Sequence, residues 1–267
     1  PLQRLGFESS HLSFAAYQQI SEIMQRARPD LELVPAKGLV EALRMVKDRD
    51  EIDLIVKAAR IADAAFAHIE KVIRAGMTEK ELAWELERFL RENGSQTVPF
   101  EIIVASGANA ALPHARPSDY QIREGEPVVI DFGAKYNGYG SDLTRTLCAG
   151  QPDTTFKRVY DIVLNAQQAA ISGIRSGMTG QEADAIAREV IRNAGYGDAF
   201  GHSLGHGIGL VTHEGPRLGP NSSDVLADGM VFTVEPGIYL SGWGGIRIED
   251  DVVLENGTIR VISSARK

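Results

Sequence analysis

The stretch RAGMTEKELAWELERFLRENG, Arg74 to Gly94, lies over RSGMTGQEADAIAREVIRNAG, Arg175 to Gly195, with Arg, Gly, Met, Thr, Glu, Arg and Gly in register. Each copy has a Thr three residues ahead of a Glu (Thr78 and Glu81; Thr179 and Glu182), the pattern of a helix N-cap and its reciprocal partner. An amphipathic run and a closing Gly follow. The same helix is therefore predicted twice, at an offset of about 101 residues. Downstream the duplication continues as a strand signature. Gly125 precedes an apolar run, Asp131 and Gly133; Gly229 precedes a similar run, Glu235 and Gly237. Two amphipathic helices can match by chance, but a second signature with the same internal G-x5-acid-x-G spacing, about 50 residues downstream, argues for true duplication. Two copies of helix, helix, strand and hairpin predict an α+β fold with a pseudo-two-fold axis.

Working outward, Leu39 to Ile73 is helix-patterned but broken by the charged run KDRDE, which predicts two helices meeting at Asp48 to Asp50. Further upstream, His11 to Ala27 reads as a helix with Leu12, Ala15, Ala16, Ile20 and Ile23 as its apolar stripe. The expected division is residues 1–35 as the remnant of an N-terminal domain with its linker, and 36–267 as the main domain. The chain of 267 residues is long enough to bury a substantial core, and 43% hydrophobic with 24% charged residues is a globular composition. Twenty-eight Lys and Arg against 36 Asp and Glu give a net charge of −8, which repels phosphate backbones and anionic lipid surfaces. Neither nucleic acid nor a membrane is expected as a partner. A single Cys148 cannot form an internal disulfide, and the opening PLQRLGFESS lacks the features of a secretory signal, so a cytoplasmic location is expected. The first residue is Pro rather than Met, as in a chain that has lost upstream sequence.

Each half places an acid in an otherwise apolar run, VVIDFGA around Asp131 and FTVEPGI around Glu235. Burying a carboxylate without a cation or several donors is costly. Each acid is followed by a Gly-rich turn and a second acid, Asp142 and Glu249. If the chain folds back antiparallel, the first hairpin centres on Tyr136 and Asn137 and the second on Gly242, which sets the acids of each pair opposite one another. Taken singly, any of them reads as a turn cap or a surface salt bridge. Four in duplicated register do not, because each pair at ~4 Å would repel by about 4 kcal/mol at an effective dielectric of ~20. Two divalent cations would balance the four charges.

Of six histidines, three sit in FGHSLGHGIGLVTHE as His202, His206 and His213, and His114 stands alone in ALPHARP. His11 and His68 read as structural. His206, flanked by Gly205 and Gly207, reads as a ligand that the backbone must approach closely. His114 and His213 occupy similar places in the two halves, each upstream of an acid-bearing strand, and suggest two imidazoles facing one substrate. Four oxygen ligands and one nitrogen suit Mn²⁺ or Co²⁺, with Zn²⁺ or Fe²⁺ as further options. Such a pair of ions activates water and polarises a carbonyl, so hydrolysis follows. GHSLG also matches the G-x-S-x-G nucleophile elbow at Ser203, but no acid lies between Ser203 and His213 and no histidine follows, so that triad cannot be completed.

These residues together resemble the M24 metallopeptidases of pita-bread fold, from about Leu39 onward. Asp131, Asp142, His206, Glu235 and Glu249 match that family's five metal-ligand positions in order and spacing. The resemblance implies that Asp142 and Glu249 bridge two ions, that Asp131 completes one and His206 with Glu235 the other. It further implies that Glu235 is the proton shuttle, and that His114 and His213 steady the substrate and the tetrahedral intermediate. LVEALRMVKDRDEI and GIRIED are similar to the proline-specific branch, prolidase and aminopeptidase P, in which His202 would line the proline side and Arg247 would anchor substrate. The expected activity is Xaa-Pro dipeptide hydrolysis. The alternatives are an aminopeptidase P acting on longer Xaa-Pro peptides, a methionine aminopeptidase, and a silent binding relative. RLGFESSHLSFAAYQQI is similar to the end of the N-terminal domain those enzymes carry, and a homodimer is expected when that domain is present.

Overall fold

The structure, a computed structural model, describes residues 2–267 and divides into two compact units, one ending at Arg44 and one running from Met45 to Lys267. In the first, strand β1 (Arg4–Glu8) pairs in parallel with β2 (Glu32–Ala36). Helix α1 (Phe14–Ala27) lies between them in sequence, and α2 (Leu39–Met45) follows. The α1 helix starts later than the sequence suggests because the Ser13 hydroxyl accepts from the Ala16 amide and sets the N-terminus there.

The second unit opens with α3 (Arg49–Val72), begun by a reciprocal cap between Asp48 and Glu51, where the sequence placed a helix junction. Helix α4 (Glu79–Glu92) starts at Thr78 with the predicted Glu81 cap. Strand β3 (Ile103–Ser106) leads through a 3₁₀ turn, Gly107–Ala111, to β4 (Pro127–Phe132). The short hairpin β5 (Lys135–Tyr136) and β6 (Tyr139–Gly140) then returns the chain as β7 (Leu143–Cys148). The same order recurs. Helices α5 (Thr154–Gly173) and α6 (Gly180–Asn193) are followed by β8 (Gly205–Gly207), β9 (Glu214–Leu218) and β10 (Val231–Val234). The hairpin β11 (Gly237–Leu240) and β12 (Gly244–Arg247) and the strands β13 (Asp250–Glu255) and β14 (Thr258–Val261) complete the chain. The duplicated caps lie in duplicated surroundings: the Gly76 amide donates to Ile122 O, and the Gly177 amide to Leu226 O. This is the α+β pita-bread arrangement that the duplication and the resemblance predicted. Among the described residues, no helix is long and apolar enough to cross a membrane.

Each half buries its own core. Helices α3 and α4 supply Phe66, Ile69, Leu82, Leu86 and Leu90 against Val128, Ile130 and Phe132 of β4. Helices α5 and α6 supply Val159, Val163, Ala187 and Ile191 against Phe232, Val234 and Val252. Since side chains alternate along a strand, pointing Val128, Ile130 and Phe132 at the helices turns Asp131 to the opposite face. The same alternation turns out Asp142 and Thr144 beside β7, Thr233 and Glu235 beside β10, and Arg247, Glu249 and Asp251 along the last strands. Apolar packing against the helices thereby directs the polar residues toward one central cleft.

Two features differ from the hairpin expectation or refine it. Strands β4 and β7 pair Asp131 with Thr144, not Asp142, because the turn is Asn137-Gly138, both at positive φ (46° and 88°). That is one residue beyond the expected centre, so Asp142 sits diagonally from Asp131. The second hairpin does centre on Gly242, and the register of Gly237 with Arg247 and Val234 with Asp250 runs on to place Glu235 opposite Glu249. The halves are stitched together along these strands. The Glu249 amide donates to Thr144 O at 3.1 Å, and the Arg247 amide to Thr146 Oγ1 at 3.0 Å. Buried Arg145 completes the seam, donating to Thr144 O, Glu249 O, Asp250 Oδ1, Ala265 O and Arg266 O, so that its whole fork is satisfied.

Candidate active site

The strands open onto a cleft of about 630 Å³ lined by every candidate residue: Asp131, Asp142, Glu235, Glu249 and Arg247 from the acid-bearing strands, and His114, His202, His206 and His213 from the loops and β8. Ligand atoms of Asp142, His206 and Glu249 all lie within 4.8 Å of one another. His206 Nε2 is 3.5 Å from Glu235 Oε1 and 3.8 Å from Asp142 Oδ2. Its Nδ1 is 3.1 Å from the Gly207 carbonyl, which can only accept, so Nδ1 bears the proton and the Nε2 lone pair faces the carboxylates. The predicted close approach at this histidine is present: a Cβ on Gly205 would overlap the Thr233 carbonyl, and one on Gly207 the Gly215 carbonyl.

The carboxylates are strongly perturbed. Burial, then repulsion from Glu249 and Asp131, holds the Asp142 carboxyl well above its ordinary range. Burial followed by repulsion from Glu235 and Asp131 does the same to Glu249. Glu235 is pushed up to about 8 by burial, with Arg247 pulling the other way. Three of the four acids receive a protein hydrogen bond: Thr144 donates to Glu249 at 2.5 Å, Thr233 to Glu235 at 3.1 Å, and Arg247 Nη2 to Asp131 Oδ2 at 2.7 Å. Asp131 Oδ1 is buried with no protein partner. A buried cluster of acids around a lone pair, with an orphaned carboxylate oxygen, fits hard divalent cations better than it fits any purely protein solution.

Arg247 is held by four hydrogen bonds within the protein. Besides Asp131, it donates to Thr144 Oγ1 at 3.1 Å, to Tyr239 Oη at 2.8 Å and to Pro113 O at 3.3 Å. The Tyr239 hydroxyl donates to His202 Nε2 at 2.9 Å, while His202 Nδ1 donates to Ser203 O at 2.8 Å. Burial, with Arg247 second, pulls His202 down to about 4, and burial pushes Tyr239 up to about 12, so the relay joins neutral groups. His202 thus lines the cleft with both nitrogens engaged. The His213 and His206 rings lie 4.2 Å apart between centroids, tilted by 44°, and both His213 and His114 are exposed. The Ser203 hydroxyl accepts from the Arg217 guanidinium at 3.2 and 3.3 Å, in keeping with the rejected triad.

Sequence reasoning missed Thr144, Thr233, Tyr239, Asp251 and Arg217. Three of these stand two residues from a candidate ligand in the same extended run, and alternation alone marks Thr144, Thr233 and Asp251 as facing the cleft side. Asp251 Oδ2 accepts from the Asp142 amide at 2.9 Å and so fixes the backbone of that ligand position.

Known proteins resemble this chain throughout. Residues 53–256 match the profile of Metallopeptidase family M24, and residues 1–46 match the Creatinase/Prolidase N-terminal domain. The Xaa-Pro dipeptidase of Pyrococcus furiosus is 46% identical over 266 residues, covering 99% of this chain and 75% of that protein. Among solved structures, the Xaa-Pro dipeptidase from Bacillus anthracis superposes with a TM-score of 0.95 at 48% identity, covering 99% of this chain and 73% of the other. An X-Pro aminopeptidase from Thermotoga maritima superposes with a TM-score of 0.92 at 44% identity, covering 99% and 74%. With carboxylates and imidazole gathered as such a site requires, this chain belongs to metallopeptidase family M24.

Proposed function

We propose that this domain hydrolyses the bond between an N-terminal residue and proline in dipeptides, with two divalent ions held by Asp131, Asp142, His206, Glu235 and Glu249. The observation that carries the reading is the convergence of Asp142, His206 and Glu249 within 4.8 Å in a buried, acid-rich cleft. Mn²⁺ or Co²⁺ suits this donor set best. When bound, the ions supply an acidified water and a polarised carbonyl. The protein's own residues supply the rest. Glu235, ionised when the ions are in place, would take the proton of the attacking water and return it to the departing proline nitrogen. That nitrogen is tertiary in the substrate and leaves only once protonated. His114 and His213 donate to the charge that develops on the scissile carbonyl oxygen. Arg247 and Tyr239 hold Asp131 and His202 in place, and the His202 ring presents a wall to the proline side.

The names of the relatives support a dipeptidase, and one feature of the cleft agrees: Arg217 is an exposed cation on its rim, available to a free carboxylate. The likeness to the Thermotoga aminopeptidase favours the second reading, longer Xaa-Pro peptides. Chromatography of digests separates them. Cleavage of Ala-Pro with Ala-Pro-Xaa-Xaa left intact supports the dipeptidase, and the reverse supports the aminopeptidase. Cleavage of neither after Mn²⁺ loading contradicts both. A cytoplasmic setting suits the lone Cys148, and a homodimer is proposed for the protein carrying its whole N-terminal domain.

A further inference from the structure

Glu79, the first residue of α4, is fully buried. Its carboxylate is met by neutral donors from both ends of one loop. Oε1 accepts from the Ser106 amide at 2.7 Å, the Ser106 hydroxyl at 3.0 Å and Asn109 Nδ2 at 3.2 Å. Oε2 accepts from the Ser118 amide at 3.0 Å and the Ser118 hydroxyl at 2.6 Å. Between these serines runs the segment that carries His114 into the cleft. The middle of the loop is held from the other side. A Cβ on Gly245 would overlap the Ala110 carbonyl, one on Gly244 would stand 2.8 Å from Gly107 O, and Arg247 donates to Pro113 O. In the duplicated half the position equivalent to Glu79 is Gly180, where a Cβ would overlap the Arg217 carbonyl and no side chain fits. The carboxylate therefore belongs to the half whose loop bears His114, and the helix-start geometry itself does not require it.

We infer that Glu79 is the positioning residue for His114: by gathering Ser106, Asn109 and Ser118 onto one carboxylate it closes the 106–118 loop against α4 and sets where the imidazole stands. The inference rests on the proposed contact of His114 with substrate. A loop freed at its base lets the imidazole drift, and a displacement of ~1 Å near the reacting atoms can cost about 10²-fold in rate.

A double-mutant cycle on the Mn²⁺-loaded protein tests it, with Ala-Pro hydrolysis, metal content and circular dichroism measured for Glu79→Gln, His114→Ala and the pair. Glu79→Gln is expected to keep its metal and lower kcat/KM by about 10-fold or more. In the His114→Ala background the same change is expected to cost less than about twofold, since the group it positions is gone. Ser118→Ala, which deletes one donor and leaves Glu79 in place, is expected to show a smaller loss that likewise vanishes with His114→Ala, and it carries the cycle if Glu79→Gln does not fold. Equal losses in both backgrounds, or wild-type kcat/KM in Glu79→Gln, overturn the inference alone. Wild-type kcat/KM in His114→Ala removes His114 from the proposed chemistry and the inference with it.

Discussion

Changing Arg247 to methionine keeps the stem and deletes the fork that binds Asp131, Thr144, Tyr239 and Pro113. Asp131, only 14% exposed at its side chain and already carrying one unpartnered oxygen, then stands among Asp142, Glu235 and Glu249 with no cation from the protein. Removing one partner of a buried ion pair typically costs about 3–5 kcal/mol. In a domain of this size that corresponds to a fall in Tm of about 10 °C in chelator-treated protein. Divalent ions bound at the same carboxylates oppose the repulsion, so the fall should shrink in excess Mn²⁺. Activity should not recover with it, because Asp131, the Thr144 hydroxyl that serves Glu249, and the Tyr239–His202 relay have all lost their common anchor. Loss of such a supporting contact generally costs about 10- to 100-fold, and that is the expected drop in kcat/KM for Ala-Pro at saturating Mn²⁺. Arg247→Lys should fall between the two, since an ammonium cannot reach Asp131 and Tyr239 as a planar fork does. Calorimetry with and without chelator, alongside steady-state kinetics, measures both effects. An Arg247→Met protein with unchanged Tm in chelator and kcat/KM within about twofold of wild type would refute the argument that this guanidinium organises the site.

Other outcomes follow from the same geometry. Glu235→Gln should fold normally and lose about 10²-fold or more in turnover, the scale of general acid–base catalysis; near-normal turnover removes Glu235 from the shuttle role. Gly205→Ala and Gly207→Ala each drive a methyl into a neighbouring backbone carbonyl, and each should lower Tm and reduce Mn²⁺ binding by displacing His206, as calorimetry and metal analysis would read. The pH dependence of the metal-free protein has a definite sign. Burial raises Glu235 from 4.5 to about 8. The folded chain therefore retains a proton there that the unfolded chain releases, so this contribution to stability is full below about pH 4.5 and is lost as pH rises through about 8. Thermal melts in chelator should fall over that window, whereas melts in excess Mn²⁺ should not; a Tm in chelator that rises between those pH values contradicts the assignment.

Much of this architecture is legible because local chemistry repeats. Thr78 with Glu81 and Thr179 with Glu182 announce the same helix start twice, and both caps form. Acids in apolar runs stand out because burial there demands compensation. The first hairpin centres one residue beyond the midpoint of Asp131 and Asp142 because the Asn137-Gly138 pair, both residues able to adopt positive φ, decides the turn. The supporting residues were harder to see. Thr144 acts on Glu249 across the two halves, whereas Tyr239 and Glu79 act on loops distant in sequence within their own half, and no local pattern encodes either meeting. Arg247 stands out by its neighbours in GIRIED, but only the folded register shows its fork engaged by Asp131, Thr144, Tyr239 and Pro113.

The most direct test of the central claim is anomalous diffraction from crystals of the Mn²⁺-loaded protein. The account predicts two manganese peaks per chain, both touching Asp142 and Glu249, one completed by Asp131 and the other by His206 and Glu235. Peaks confined to surface carboxylates, or no peak between Asp142 and Glu249, would contradict it.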